Sequence, residues 1–196
     1  MAIEILEAGL AATIQDLGRP GYYQSGIPIG GAMDRFALRV ANLLVGNQES
    51  AACIESPYIG PRLLFDEDTF ISVTGADLPM WLDGEERQTW TVIEVRAGQV
   101  LEFGYLKSGA RIYIAVSGGV DVPLVLGSRS TYLVGQLGGH EGRILAAEDI
   151  LQCGRGEPKI KCQYVPDELK RHIGEVANLR AMPGLFWHRL TKTSGK

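Results

Sequence analysis

The sequence predicts a mainly β protein: a closed or nearly closed β-barrel carrying one early short helix. Three observations point there. Short segments that alternate apolar and polar residues recur along the chain, separated by Gly, Asp or Ser. Glycine is abundant, 25 of 196 residues, which suits a turn-rich chain. Only one early stretch has clear helical spacing, so the strand–helix alternation of a βαβ protein is missing.

Taken in order, Ile3 to Glu7 alternates and reads as a strand. Gly9 turns it and Ala12 to Gln15 returns, so the two predict a β-hairpin. Arg19-Pro20-Gly21 places Pro and Gly at the centre of a type II turn. The stretch from Gly26 to Asn47, GIPIGGAMDRFALRVANLLVGN, is the most informative. Gly26, Gly30 and Gly31 permit positive φ or a close approach, and Pro28 stiffens the loop between them. Asp34 sits at a helix start, as cap or first-turn carboxylate. Ala37, Val40, Ala41 and Leu44 predict a core-facing stripe, with Arg35, Arg39 and Asn42 on other faces. Gly46 and Asn47 end the helix. A helix N-terminus behind a Gly-Gly loop suits an anion; a cap and tight turn is the plainer reading, and the residues alone favour it.

Strand candidates follow at Ala51–Glu55, Arg62–Phe65, Thr69–Thr74, Pro79–Leu82, Thr89–Val95, Val100–Tyr105, Arg111–Val116 and Ile150–Cys153. Asp83-Gly84 after Leu82 is a hairpin signal. Leu101, Phe103 and Tyr105 share one face, as do Ile112, Ile114 and Val116. Ser72 to Asp77 ends a strand in a Gly-Ala turn. Residues 1–155 make the predicted barrel domain. Residues 156–196 read as a linker, a candidate short helix over Pro166–Asn178 and the truncated start of a second domain.

Composition excludes several classes. The net charge of −4 argues against a nucleic-acid surface. No apolar run approaches the roughly 20 residues of a membrane span. The N-terminus has no basic region before an apolar one, so it does not read as a signal peptide. Three cysteines, Cys53, Cys153 and Cys162, without CxxC spacing argue against a disulfide framework and against a zinc site. Cys53 reads as a small core residue. The three histidines make no ligand set, so no metal is expected, and a reducing cytoplasm is the simplest location.

Among motifs, Gly127-Ser128-Arg129-Ser130-Thr131-Tyr132 gathers hydroxyls around one guanidinium. That suits a carboxylate, carbamate or phosphate; a polar turn with a surface Arg is the alternative. Gly135 to Arg143 is a second Gly-rich loop without the GK[ST] of a phosphate-binding P-loop. The turn around Gly75 has N–H groups that suit an anion. Asp34 and Glu55 are candidate acid–base carboxylates.

The segments ATIQDLGRPGYYQSGIPIGGAMDRFALRVANLLVGN (Ala12 to Asn47), SVTGADL (Ser72 to Leu78), YIAVSGGVDVPLVLGSRSTY (Tyr113 to Tyr132) and GGHEGRILAAEDIL (Gly138 to Leu151) resemble the KipA family. It is also called allophanate hydrolase subunit 2 or the biotin-dependent carboxyltransferase family, and it includes the C subunit of 5-oxoprolinase. The resemblance covers about residues 1–155. It implies a cyclophilin-like β-barrel, partners in the form of a KipI-like B subunit and an A subunit of 5-oxoprolinase, and no action on nucleic acid or membrane; it leaves room for a homo-oligomer. The activity implied is ATP-dependent opening of 5-oxo-L-proline to L-glutamate, with ATP used by the assembled complex and this chain inactive alone. Two alternatives are a carboxyltransferase subunit of a urea carboxylase-type enzyme, its biotin carried on another chain, and a regulatory protein that binds a KipI-type kinase inhibitor. The resemblance carries the site onto the matching positions without fixing individual catalytic roles, and Asp34 and Arg129 are the catalytic candidates. It carries substrate binding to Gly30, Gly31, Ala32, Met33, Arg39, Asn42, Asn47, Gly75, Ser128, Ser130, Thr131 and Tyr132. One departure stands out. At Leu179 to Gly184 a second barrel usually begins, continuing Gly-Pro-Gln, but here the chain reads Gly184-Leu185-Phe186-Trp187.

Overall fold

The computed structural model describes residues 1–155, 160–170, 181–191 and 193–194. Among the described residues there are eleven strands: β1 (Ala2–Glu7), β2 (Thr13–Gln15), β3 (Cys53–Pro57), β4 (Arg62–Phe65), β5 (Thr69–Asp77), β6 (Met80–Leu82), β7 (Glu85–Arg87), β8 (Val92–Val95), β9 (Val100–Phe103), β10 (Ser108–Val116) and β11 (Ile150–Gln152). One α-helix, α1 (Arg35–Leu44), follows β2. The strands form two sheets, in the orders β11-β1-β4-β9-β6-β7 and β2-β3-β10-β5-β8. All described pairings of named strands are antiparallel. Among the described residues no ladder joins one sheet to the other, so the barrel is not closed.

Alternation explains why the sheets stack. Ile3 and Ile5, Leu63 and Phe65, Ile71 and Val73, and Ile112 and Ile114 all point into one core between the sheets. Burial of each such side chain contributes about 1.5–3 kcal/mol before entropy is counted. Strand β10 is buried on both faces: Tyr113 and Ala115 face away from that core and pack beneath α1 with Cys53 and Trp90. Burial pushes the Cys53 thiol up to about 12, in keeping with a core residue.

The helix is fixed at both ends. Asp34 caps it, its Oδ1 accepting from Phe36 N and Ala37 N at 3.0 and 3.1 Å. Gly46, with φ of 76°, closes the other end: its N–H donates to Leu43 O and that of Asn47 to Asn42 O. Small residues on the inner face let the helix sit close enough for β5 to bond its backbone. Ser72 Oγ donates to Ala41 O at 2.6 Å and Thr74 Oγ1 to Ala37 O at 2.7 Å.

Five expectations are corrected. Ile3–Glu7 and Ala12–Gln15 do not form a hairpin: β1 pairs with β4 and β11 while β2 pairs with β3, so the chain crosses between sheets. Leu38 joins the buried stripe, against which Val40 packs half-buried as expected, but Asn42, expected on an outer face, is fully buried. The strand through Ser72 does not end at Gly75; β5 runs on to Asp77, with its ladder shifted against Ser108–Ile112 of β10. Tyr105 lies beyond the end of β9 and is 91% exposed. In the predicted helix over Pro166–Asn178, Asp167–Leu169 form a single 3-10 turn, and residues 171–178 lie outside the described residues. The Asp83-Gly84 turn does join β6 to β7, both residues at positive φ.

Candidate functional site

The loop before α1 rests on a polar row across the second sheet. Thr13, Glu55, Tyr113 and Thr74 are neighbours across β2, β3, β10 and β5, and all four are buried. Glu55 Oε2 accepts from Met33 N at 3.0 Å, and its Oε1 accepts from Arg111 Nε at 3.2 Å. Tyr113 Oη accepts from Asp34 N at 2.7 Å. Burial, then the Glu55 charge, pushes the Tyr113 phenol well above its ordinary value, so it stays a neutral hydrogen-bonding group. Gly75 (φ 100°) belongs to the same cluster. A Cβ there would meet Arg111 O at 2.3 Å, so glycine is what allows β10 to pass with Arg111 aimed at Glu55.

A second centre is Asp16, a buried carboxylate at the end of β2. Its Oδ1 accepts from Gly18 N at 2.7 Å, Ser128 Oγ at 2.6 Å and Ser130 Oγ at 2.5 Å; its Oδ2 accepts from Arg129 N at 2.6 Å. The hydroxyls of Ser128 and Ser130 are therefore engaged by the protein's own carboxylate. Thr131 Oγ1 donates to Ile14 O. The Arg129 side chain leaves this nest: Nη2 pairs with Asp121 at 2.7 Å and Nε donates to Val122 O at 2.8 Å. Asp16 also reaches the loop before α1, since its carbonyl accepts from Ala32 N at 2.9 Å. One residue thus ties the Gly31–Ala32 turn to the Ser128–Ser130 run.

Arg19 lies between the two loops. It is 1% exposed. Its backbone N donates to Ile29 O at 2.7 Å, Nη2 to Ser130 O, and Nε to Val125 O at 3.4 Å. Nη1 has no partner among the described residues.

The other sequence-derived candidates lie elsewhere. Asn42 and Asn47 sit at the far end of α1. Asn42 Nδ2 donates to Ala51 O, Asn47 Nδ2 donates to Asn42 Oδ1 and to Val116 O, and Asn47 Oδ1 accepts from Gly118 N. This network pins the helix end to the turn after β10. Arg39 is exposed and pairs with Glu49. Tyr132 bonds Leu137 through both backbone groups, closing the turn that starts the second Gly-rich loop. In that loop Arg143 holds Asp149 with two hydrogen bonds of 2.7 and 2.8 Å, drawing its carboxyl down to about 2, and His140 Nε2 lies 3.3 Å from the same carboxylate.

So the structure gathers Gly30–Asp34 with Glu55, Arg111, Tyr113 and Gly75, and joins them through Asp16 to Ser128–Thr131. It does not bring Arg39, Asn42 or Asn47 into that group. Sequence reasoning missed Asp16, Arg19, Arg111 and Tyr113. Asp16 and Arg19 lie inside the Ala12–Asn47 motif, but their partners are more than a hundred residues away. Among the described residues no group of three or more His, Cys, Asp or Glu side chains is placed to hold a metal. No helix there is long and apolar enough to cross a membrane.

Two packed antiparallel sheets with one capped helix define a mainly β domain whose candidate site lies on the loops around the helix start. The chain belongs to the family described as the carboxyltransferase domain, subdomain A and B, which matches residues 25–196. It is 38% identical over 193 residues to the C subunit of 5-oxoprolinase from Escherichia coli, covering 98% of this chain and 61% of that one. It is 46% identical over 150 residues to the C subunit of 5-oxoprolinase from Haemophilus influenzae, covering 76% of this chain and 48% of the other. The crystal structure of Kluyveromyces lactis urea carboxylase shares the fold, with a TM-score of 0.84 and 36% identity over 88% of this chain and 16% of that one. The chain therefore spans about half to three-fifths of the two bacterial relatives.

Proposed function

We propose that this chain is a component of an ATP-dependent 5-oxoprolinase, of the kind its C subunit represents, working in the cytoplasm with a KipI-like B subunit and an A subunit, and inactive alone. The observation that carries the reading is the alignment with the Escherichia coli C subunit over 98% of this chain. The 46% identity to the Haemophilus influenzae C subunit supports it further.

The geometry suits a subunit that presents a site rather than enclosing one. Met33 is 70% exposed at the helix start, while the successive N–H groups of Ala32, Met33 and Asp34 are held by Asp16, Glu55 and Tyr113. A rigid, exposed loop of this kind completes a site with a partner at low entropic cost. In this reading Gly30, Gly31, Ala32 and Met33 form the substrate-facing edge, and Asp34 and Arg129 are the groups that act on substrate. Ser128 and Ser130 serve by fixing Asp16, which accepts from Arg129 N, and Thr131 by bonding Ile14 O. A second reading, a carboxyltransferase subunit that receives carboxyl groups from biotin on another chain, draws support from the likeness to the Kluyveromyces lactis urea carboxylase.

Co-expression with the A and B subunits tests the proposal. The expected result is 5-oxoproline-dependent ATP hydrolysis that those two subunits lack on their own. No gain in hydrolysis, with urea-dependent decarboxylation of carboxybiotin instead, would overturn it in favour of the second reading.

A further inference from the structure

A guanidinium buried to 1% exposure is normally paired. Among the described residues Arg19 has no carboxylate within ion-pair distance, and its other contacts are two backbone carbonyls, Ser130 O and Val125 O. The nearest negative charge reaches it only indirectly: Ser130 receives Arg19 Nη2 at its carbonyl and gives its hydroxyl to Asp16. Nη1 is left with its N–H groups unbonded. An arrangement that leaves a buried cation one acceptor short favours whatever supplies that acceptor.

The cover over Nη1 is thin and of a particular kind. Gly30 is exposed, and a Cβ on it would find Nη1 at 3.6 Å and nothing else within 4 Å. Its neighbours are anchored: Ile29 O accepts from Arg19 N and Ala32 N donates to Asp16 O. Gly31 is wedged, since a Cβ there would meet Gly18 N and Leu17 C at 2.8 Å. Between these anchors only the Gly30 Cα and the Gly30–Gly31 peptide bond carry no such restraint, and glycine crosses between backbone regions without steric cost. Gly138 lies against the guanidinium as well, 2.7 Å from Nη2 at its ideal Cβ position. Two glycines, from the two Gly-rich loops that flank the candidate site, thus approach the two terminal nitrogens of one unsatisfied arginine.

We propose that Arg19 is the cation of a subsite for a small planar oxyanion of the carboxylate or bicarbonate class, reached when Gly30 moves off Nη1. The anion would accept from Nη1 and from the Gly30–Gly31 backbone, the paired, planar donor geometry that guanidinium groups offer such anions. The subsite itself stands on the burial and the missing partner of Arg19. Its use for a substrate carboxyl group rests on the functional reading above.

The test is a titration of the isotopically labelled full chain with acetate and, separately, bicarbonate, followed by NMR at the Gly30, Gly31 and Gly138 amides and the Arg19 side-chain N–H groups. Saturable shifts at these four places, absent with chloride at equal ionic strength, are expected. Arg19→Lys should weaken binding by about tenfold or more, because one ammonium cannot reproduce the two parallel donors. Gly30→Ala, which sets a methyl group over Nη1, should weaken it too and keeps the test open if the Arg19 variants do not fold. Equal shifts with chloride would mean an adventitious ion only and would overturn the proposal. So would shifts confined to surface residues, or no shift at Arg19 in the wild-type chain. Anion binding without 5-oxoproline-dependent activity in the assembled complex would retire the enzymatic reading and leave the subsite standing. Activity with no anion binding would do the reverse.

Discussion

Replacing Asp16 by Asn tests whether the Ser128–Ser130 run is organised by the protein's own carboxylate. The substitution keeps size and shape but removes the charge and turns one acceptor into a donor. Oδ1 receives Gly18 N and the two serine hydroxyls, and Oδ2 receives Arg129 N at 2.6 Å. With the amide nitrogen at the Oδ2 position, two N–H groups face each other and the Arg129 N–H is left unsatisfied, at about 1–3 kcal/mol. The three remaining bonds fall from charge-assisted to neutral, a loss of about 1 kcal/mol each. Turning the amide over only makes matters worse, since three donors then meet the nitrogen. The expected destabilisation is about 4–6 kcal/mol, a large share of a typical domain's stability. For a chain of this length that lowers Tm by roughly 8–24 °C. Urea unfolding of wild type and Asp16→Asn at neutral pH measures it. A loss below about 1 kcal/mol would show that the serines and Arg129 hold their places without Asp16, and the hydroxyls would return to the set available for a ligand.

Four further outcomes follow from the same contacts. Tyr113→Phe removes the oxygen that accepts from Asp34 N–H and should cost about 1–2 kcal/mol, with faster hydrogen exchange at that amide. Asn42→Ala and Asn47→Ala break one shared bond, so a double-mutant cycle in urea should give a coupling of about 1 kcal/mol rather than additivity. Asp149 titrates low in the folded protein because Arg143 hydrogen-bonds its carboxylate. Its contribution is whole above the ordinary carboxylate pKa of 3.8 and is lost as pH falls towards about 2, so Asp149→Asn should flatten about 2 kcal/mol of the acid limb of a stability–pH curve. Arg129→Ala removes a guanidinium paired to an exposed Asp121 and to Val122 O, costing about 1 kcal/mol of stability, yet it should abolish activity of the assembled complex; full activity would remove Arg129 from the reaction.

What the sequence showed depended on range. Alternation is a local signal, so Arg62–Phe65 and Ile112–Ile114–Val116 were legible as strands, and Asp34 and Gly46 as the ends of the helix. Sheet membership is not local. Gly9 could as well have turned β1 back on itself as sent the chain to the other sheet, and only the distant partners β4, β11 and β3 decide it. The same limit applies to Asn42. A polar residue on a helix reads as surface unless its partners are known, and here Ala51 O and Asn47 make its burial satisfiable. The hydroxyl cluster around Arg129 was visible as a cluster, but a cluster of donors has the same appearance in sequence whether its acceptor is a substrate or an aspartate at residue 16.

That ambiguity bears on how family motifs should be read for chemistry. A motif dense in hydrogen-bonding residues is kept either because a ligand needs those groups or because the fold does, and the structure separates the two by counting what each atom already bonds. By that count Ser128, Ser130, Thr131, Asn42 and Asn47 are held within the fold. What remains uncommitted at the candidate site is sparse: the exposed backbone at Gly30, the exposed Met33 side chain, the Arg129 guanidinium beyond its bonds to Asp121 and Val122, and the one nitrogen of Arg19 that has no partner among the described residues. All but Arg129 lie on or beneath a single loop, anchored at Ile29 by Arg19 N and at Ala32 and Met33 by Asp16 and Glu55. A site made of so few free groups is too small to enclose a substrate alone, which is the physical reason to look for its missing walls on another domain or another protein.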